Sequence, residues 1–474
     1  MARCCALAPV GGWARRTGPA PLDAPGPMRD GRRVELVARQ RRASSALQRA
    51  TAGSLAVSMS GQLTLLASGV FGARILGVTN RGHLALLLLL GSIVTQLGSL
   101  GLPLALTYWT AREGGFSRRS HLRIVSFGIK QVPLVTALHA AILVALFADS
   151  SPEVSEAAAI SLLATPALLV YQYSLAILQG ERRFGAFNVQ RLALPALYAS
   201  ILTVLYVLEV HSLIAVMGAW DAAVVVPAIS STLSVRRRPM SSGRADAPAL
   251  PEMIRFGLKG LLGSVAPLEA FQLDQAIVGL FISPAALGLY VVGVAFTNLP
   301  RFIGQAIGLV AYPHVAAQRD ARQTRRTILR FMALGFALSG LAVVAVELAL
   351  PWLVPHLFGH AFAPALGIAR VLLISALLVS LRRLLADCAR GAGLPAIGSA
   401  AEIAALALFP LAVVLIDGGA TGVAWALVLS GTLALGIVVP RLASAVPRVP
   451  VAASDGLPLY DQEREVAMEL VPRP

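Results

Sequence analysis

Between residues 52 and 443 the sequence is a succession of long apolar runs, and this pattern leaves the chain very few ways to fold. A helix needs about 20 apolar residues to cross roughly 30 Å of hydrocarbon. Twelve such runs can be marked, at 52–73, 83–109, 124–148, 157–179, 187–208, 211–234, 256–282, 285–312, 329–351, 363–388, 395–416 and 419–443. Lipid offers no hydrogen bonds, so each segment must satisfy its own backbone, and the expectation is an all-α polytopic membrane protein with twelve transmembrane helices. Only 14% of residues are charged and the mean hydropathy is +0.73, which excludes an ordinary soluble domain, where about 25% are charged.

The net charge of +16 is almost all arginine, since Lys130 and Lys259 are the only lysines. In a soluble chain this surplus would suggest nucleic acid. In a membrane chain it belongs to loops facing the cytoplasm and anionic lipid, so no nucleic-acid partner is expected. With the amino terminus inside, the inner loops hold 16 arginines and the outer loops only Arg74 and Arg81. That bias predicts both termini cytoplasmic, and the gain or loss of one early span would invert it. The three cysteines, Cys4, Cys5 and Cys388, lack metal-ligand spacing, so neither a disulfide framework nor a metal or redox cofactor is expected.

Residues 1–50, rich in Arg, Pro and Gly, read as a disordered basic cytoplasmic tail, with Met28 an alternative start and no secretory h-region. A linker at 235–255, opening on Arg236-Arg237-Arg238-Pro239, divides two six-helix bundles at 51–234 and 256–444, and 445–474 reads as a second cytoplasmic tail. Short echoes support the division. Gly72-Ala73-Arg74-Ile75-Leu76-Gly77 parallels Leu280-Phe281-Ile282-Ser283-Pro284, and Leu178-Gln179-Gly180 parallels Ala389-Arg390-Gly391. Transporters built from two such halves place their site between them and alternate its access.

At these residues the sequence resembles the polysaccharide transporter branch of the multidrug/oligosaccharidyl-lipid/polysaccharide (MOP) exporter superfamily. The resemblance rests on an ordered set: Phe71–Gly77, Ile177–Phe184, Leu273–Phe281, Ala286–Tyr290, Tyr312-Pro313 and Leu357-Phe358-Gly359. It implies two six-helix bundles around a central cavity, the MATE-like fold, and translocation of an undecaprenyl-type lipid carrying a pyrophosphate-linked saccharide. The related lipid II flippases carry arginines midway along span 1 and an Asp-Arg pair early in span 8. Here those places read Ser58-Met59-Ser60-Gly61-Gln62 and Val292-Gly293-Val294-Ala295, a departure from that branch. A cation-coupled drug antiporter of the same superfamily is a further alternative.

Charges within hydrocarbon cost roughly 2.5–3.5 kcal/mol each on insertion scales, so they mark cavities or partners. Arg301 in span 8 and Lys130 in span 3 are the candidate substrate ligands. Guanidinium supplies a forked, permanently charged donor set for pyrophosphate. The alternatives are a structural ion pair for Arg301 and snorkelling to the interface for Lys130. Asp274 and Glu269 in span 7 and Asp221 in span 6 are candidates for ion coupling by Na+ or H+, or for gating, with Asp274 alternatively paired to Arg301. Five residues along one helix would separate Glu269 from Asp274 by about 140°. Arg383 and Asp387, four apart, predict a local ion pair. Pro103, Pro133, Pro166, Pro195, Pro227, Pro267 and Pro300 lie within spans and predict bends.

A membrane enzyme of glycan assembly is disfavoured, because no outer loop is long enough to hold a catalytic domain and no Gly-x-x-x-x-Gly-Lys-Ser/Thr run exists. The expected partners are the lipid-linked saccharide, membrane lipid and a polymerase or ligase of the same pathway, with the chain acting as a monomer.

Overall fold

The computed structural model describes residues 30–113, 118–236, 248–264, 267–318 and 320–445. Most of the expected amino-terminal tail, half of the linker and the carboxy-terminal tail lie outside these residues. Met1–Leu55 and Ala56–Pro474 form separate compact units, and the site lies in the second.

Every regular element among the described residues is helical. The first helix, α1 (Asp30–Gly98), begins well inside the segment expected to be disordered. The run from Glu35 to Ala52 is rich in Ala, Leu, Arg and Gln, all strong helix formers, so propensity favours helix there despite the charge. Gly77, at φ 67°, breaks α1. A side chain at that φ would be strained, and the break separates what the apolar pattern marks as spans 1 and 2.

The remaining helices follow the expected spans with interruptions. α2 (Leu102–Glu113) completes span 2, α3 (Arg118–Phe147) is span 3, and α4 (Pro152–Ser161) with α5 (Ala164–Gly180) make span 4. α6 (Phe184–Val207) and α7 (Leu213–Arg236) are spans 5 and 6. Span 7 is fragmented into α8 (Leu250–Ser264), α9 (Pro267–Ala270) and α10 (Leu273–Ile277), the last running into a π turn at Val278–Ile282. Span 8 is α11 (Pro284–Ala295) and α12 (Asn298–Ala316), bent by 45°. α13 (Ala321–Leu353), α14 (Ala365–Gly391), α15 (Pro395–Leu415) and α16 (Gly419–Ala445) follow. Nine helices of the described residues are long and apolar enough to cross a membrane, or ten with the bent pair as one span. Twelve separate spanning helices are not seen, because spans 1 and 2 share α1 and span 7 is in pieces.

Proline explains where the interruptions fall. Pro103, Pro166, Pro267 and Pro300 each sit in the first turn of a new helix, where a missing N–H costs nothing, whereas Pro133, Pro195 and Pro227 lie inside continuous helices.

Packing gathers α4, α5 and α6 around α7, and α11, α12, α13, α15 and α16 around α14. The largest buried apolar cluster joins early and late helices, from Leu84 and Leu202 to Leu287, Leu372 and Leu427. Two backbone approaches also connect them. Gly82 of α1 lies against Pro284 and Gly288 of α11, and Gly101 lies against Gly257 of α8, each so close that a Cβ would collide with carbonyl atoms. The outer faces of α3, α13 and α15 present Leu134, Val144, Phe336, Leu348 and Val414 to the exterior, as suits lipid rather than water.

Candidate functional site

The interior charges converge where the helices are broken. α14 is an unbroken 27-residue helix gripped on several sides, and it carries Arg382 and Arg383 at a fixed depth. Arg382 is 2% exposed, an extreme for a guanidinium, and it is tolerated because two carboxylates hold it. Its Nε donates to Glu402 of α15 at 2.9 Å and its terminal nitrogen to Glu269 of α9 at 2.9 Å. The other oxygen of Glu269 accepts from Arg383, so one carboxylate spans two guanidiniums.

Asp274 stands at the start of α10, almost fully buried, where it accepts a hydrogen bond from Tyr290 of α11 at 2.9 Å. Arg301 lies in the first turn of α12. Next to it, the Pro300 carbonyl accepts from Ser380 of α14 at 3.2 Å, and Ser339 of α13 lies 2.9 Å from the Ser380 hydroxyl. These hydroxyls tie the start of α12, and with it Arg301, to α13 and α14. Arg301 is within electrostatic range of Asp274 and Tyr290, but its Nε is buried without a hydrogen-bond partner.

A cavity of about 40 Å³ lies between these groups, lined by Glu269, Gln272, Asp274, Arg301, Arg382 and apolar neighbours including Leu427. Three guanidiniums (Arg301, Arg382, Arg383) and three carboxylates (Glu269, Asp274, Glu402) therefore gather in an otherwise apolar interior, with formal charge balanced. The space suffices for a few waters and is far too small for a saccharide headgroup.

Several expectations are corrected here. Glu269 and Asp274 do share one cavity, because span 7 is not a continuous helix between them: α9 stops at Ala270 and Gln272 adopts a left-handed conformation, φ 47°. The angle expected from an ideal helix does not apply across that break. Asp274 makes no ion pair with Arg301 within 4 Å, its partner being Tyr290. Arg383 pairs with Glu269, and Asp387 instead takes Arg390, three residues on. Lys130 is exposed on α3 and Asp221 is buried in α7, and neither lines the cavity. Both carboxylate oxygens of Asp221 are buried without a hydrogen-bond partner. Arg382 and Glu402 were not singled out from sequence, although Glu402 is the only charged residue of 395–416. Among the described residues no three His, Cys, Asp or Glu side chains converge as metal ligands.

Spanning helices, interrupted where they meet a buried and charge-lined cavity, define a multi-pass membrane protein of transporter architecture. Residues 72–366 match the family described as polysaccharide biosynthesis protein, and the chain belongs to that family. No curated protein sequence matches it. Its fold is that of MOP superfamily members. The inward-facing conformation of a multidrug resistance MATE family transporter of that superfamily aligns with TM-score 0.60 and 16% identity, over 85% of this chain and 99% of that one. The outward-facing conformation of such a transporter aligns at 0.56 and 16%, over 85% and 96%. The lipid II flippase MurJ in an inward closed conformation aligns at 0.58 and 11%, over 83% and 90%.

Proposed function

We propose that the protein is a flippase that moves a lipid-linked oligosaccharide or polysaccharide precursor, of the undecaprenyl-pyrophosphate type, from the inner to the outer leaflet of a bacterial cytoplasmic membrane by alternating access. Its family and fold support the class. The observation that carries the reading is the cluster of Arg301, Arg382 and Arg383, with Arg382 fully buried, at a small charge-lined cavity. A pyrophosphate needs fixed, charged, forked donors out of water, while its lipid tail remains in the bilayer.

Energetics allow the direction. With the inside negative, each exported negative charge gains about 2.3 kcal/mol per 100 mV, so a headgroup carrying two gains about 4–5 kcal/mol. Coupling to Na+ or H+ at Asp274 and Glu269 is an added source of drive in this reading. A glycan polymerase or ligase would receive the product, and the protein itself performs no covalent step.

The test is deletion of the gene followed by analysis of lipid-linked saccharides. The expected result is accumulation of an intermediate on the cytoplasmic leaflet, and normal glycan export would overturn the reading. The two carboxylates that line the cavity, Glu269 and Asp274, favour a second reading, export of a cationic compound, for which deletion would instead raise sensitivity to cationic drugs and leave glycans unchanged.

A further inference from the structure

We propose that Glu269 is an internal stand-in for the substrate's phosphate: in this structure it occupies Arg382 and Arg383, and a phosphate or pyrophosphate group replaces it when the cavity enlarges. This rests on the flippase reading above and assigns to Arg382 and Arg383 the role of phosphate receptors.

The geometry separates a fixed part from a movable one. Both arginines are mid-helix on α14, which is packed against five other helices. Glu269 instead sits on α9, a four-residue turn bounded by the left-handed Gln272. Moving Glu269 requires rearranging one short turn, whereas moving the arginines requires dislodging the central helix of the late bundle. Glu402 adds a second element. It holds the Nε edge of Arg382, so the guanidinium keeps its orientation after Glu269 has left and its terminal nitrogen has become free.

Acceptor geometry and charge agree with the exchange. Glu269 offers one oxygen to each of two guanidiniums, the demand that a phosphoryl group makes of an arginine pair. Arg383 is the approachable member, with 37% of its side chain exposed, while Arg382 is fully enclosed. A diphosphate cannot fit in about 40 Å³, and Glu269 is one of the residues whose movement would enlarge that space. Exchange of one anion for another also removes a difficulty of the return step. An empty flippase with bare arginines would leave uncompensated charge inside the membrane, whereas an internal carboxylate that returns keeps the cluster neutral.

The experiment uses full-length protein in nanodiscs, with inorganic pyrophosphate and geranylgeranyl pyrophosphate as probes. Removing the competing charge in Glu269→Gln is expected to tighten binding of the prenyl probe about tenfold, and Arg383→Gln to weaken it by a similar factor. A gain with both probes supports recognition of the phosphate group alone, and a gain with the prenyl probe only supports recognition of the lipid headgroup. Glu269→Gln protein that melts as wild type does and binds no tighter would overturn the inference. Should that variant not fold, Glu269→Asp keeps the charge but shortens its reach, and unchanged affinity there is equally refuting. The two readings fail separately. Wild type that binds the prenyl probe, with no gain in Glu269→Gln, sinks the stand-in and leaves the flippase intact; normal glycan export on deletion sinks the flippase whatever the affinities.

Discussion

Replacing Arg382 tests the organisation of the charge cluster most directly. Arg382→Leu keeps much of the side-chain volume but withdraws both ion pairs. Glu269 retains Arg383. Glu402 retains nothing, because its second oxygen is already buried without a partner and the first has only Arg382. Leaving one member of a buried pair uncompensated costs about 3–5 kcal/mol, a drop of two to four orders of magnitude in the folded ratio. The double variant Arg382→Leu/Glu402→Leu removes the orphaned charge as well, and apolar replacements of buried pairs are often neutral or stabilising. It should recover at least half of the loss. Reversible denaturant titration in micelles, read as a double-mutant cycle, gives both numbers. A loss below about 1 kcal/mol for the single variant, or simple additivity in the double, would refute the claim that Arg382 is held by its carboxylates.

Other outcomes follow from the same geometry. Arg301→Ala should abolish glycan export with protein levels unchanged, checked by complementation and immunoblot; a fully active variant removes Arg301 from the site. Gly82 lies at the start of span 2 and Gly101 beyond the end of α1, so an added Cβ at each disrupts a different contact between early and late helices. Gly82→Ala and Gly101→Ala should therefore each expose reporter cysteines beside its own contact to impermeant reagents, and an unchanged labelling pattern in both would count against two separate contacts. Asp221→Asn replaces a buried, unpartnered carboxylate by a neutral amide and should raise stability by about 1–2 kcal/mol in the same denaturant assay, a destabilisation showing instead that the carboxylate has a partner. Asp274→Asn should shift any sodium or pH dependence of transport measured in proteoliposomes, and an identical dependence would place coupling elsewhere.

The membrane-spanning character of the chain was readable because it depends on run length and composition, which sequence reports directly. The breaks were half readable. Pro103, Pro267 and Pro300 mark them, but nothing in Gln272 announces a left-handed conformation, since tertiary packing imposes it. Partner choice was the least readable feature. Arg383 and Asp387 satisfy the four-residue rule, yet such a pair is worth only about 0.2–0.5 kcal/mol. A carboxylate 114 residues away, already held by Arg382, outweighs it. Arg382 and Glu402 could have been found by the rule that selected Arg301, because each is a charge deep within an apolar run.

The two arginines that contradict the orientation signal have a structural reason to persist. Arg74 lies beside the break at Gly77, where its Nε donates to the Leu357 carbonyl at 2.6 Å, its Nη2 donates to the His356 carbonyl, and its Nη1 donates to the Tyr206 hydroxyl at 3.3 Å. Those carbonyls belong to the π turn that ends α13, so a single side chain ties α1 and α6 to the far end of a late helix. Arg81 is largely enclosed near Tyr198. A positive charge in this loop runs against the orientation expected from the other loop arginines, and in the folded chain the same charge ties α1 to α6 and to the end of α13. The exceptions in a count of loop arginines thus become a guide to where the helices are tied together.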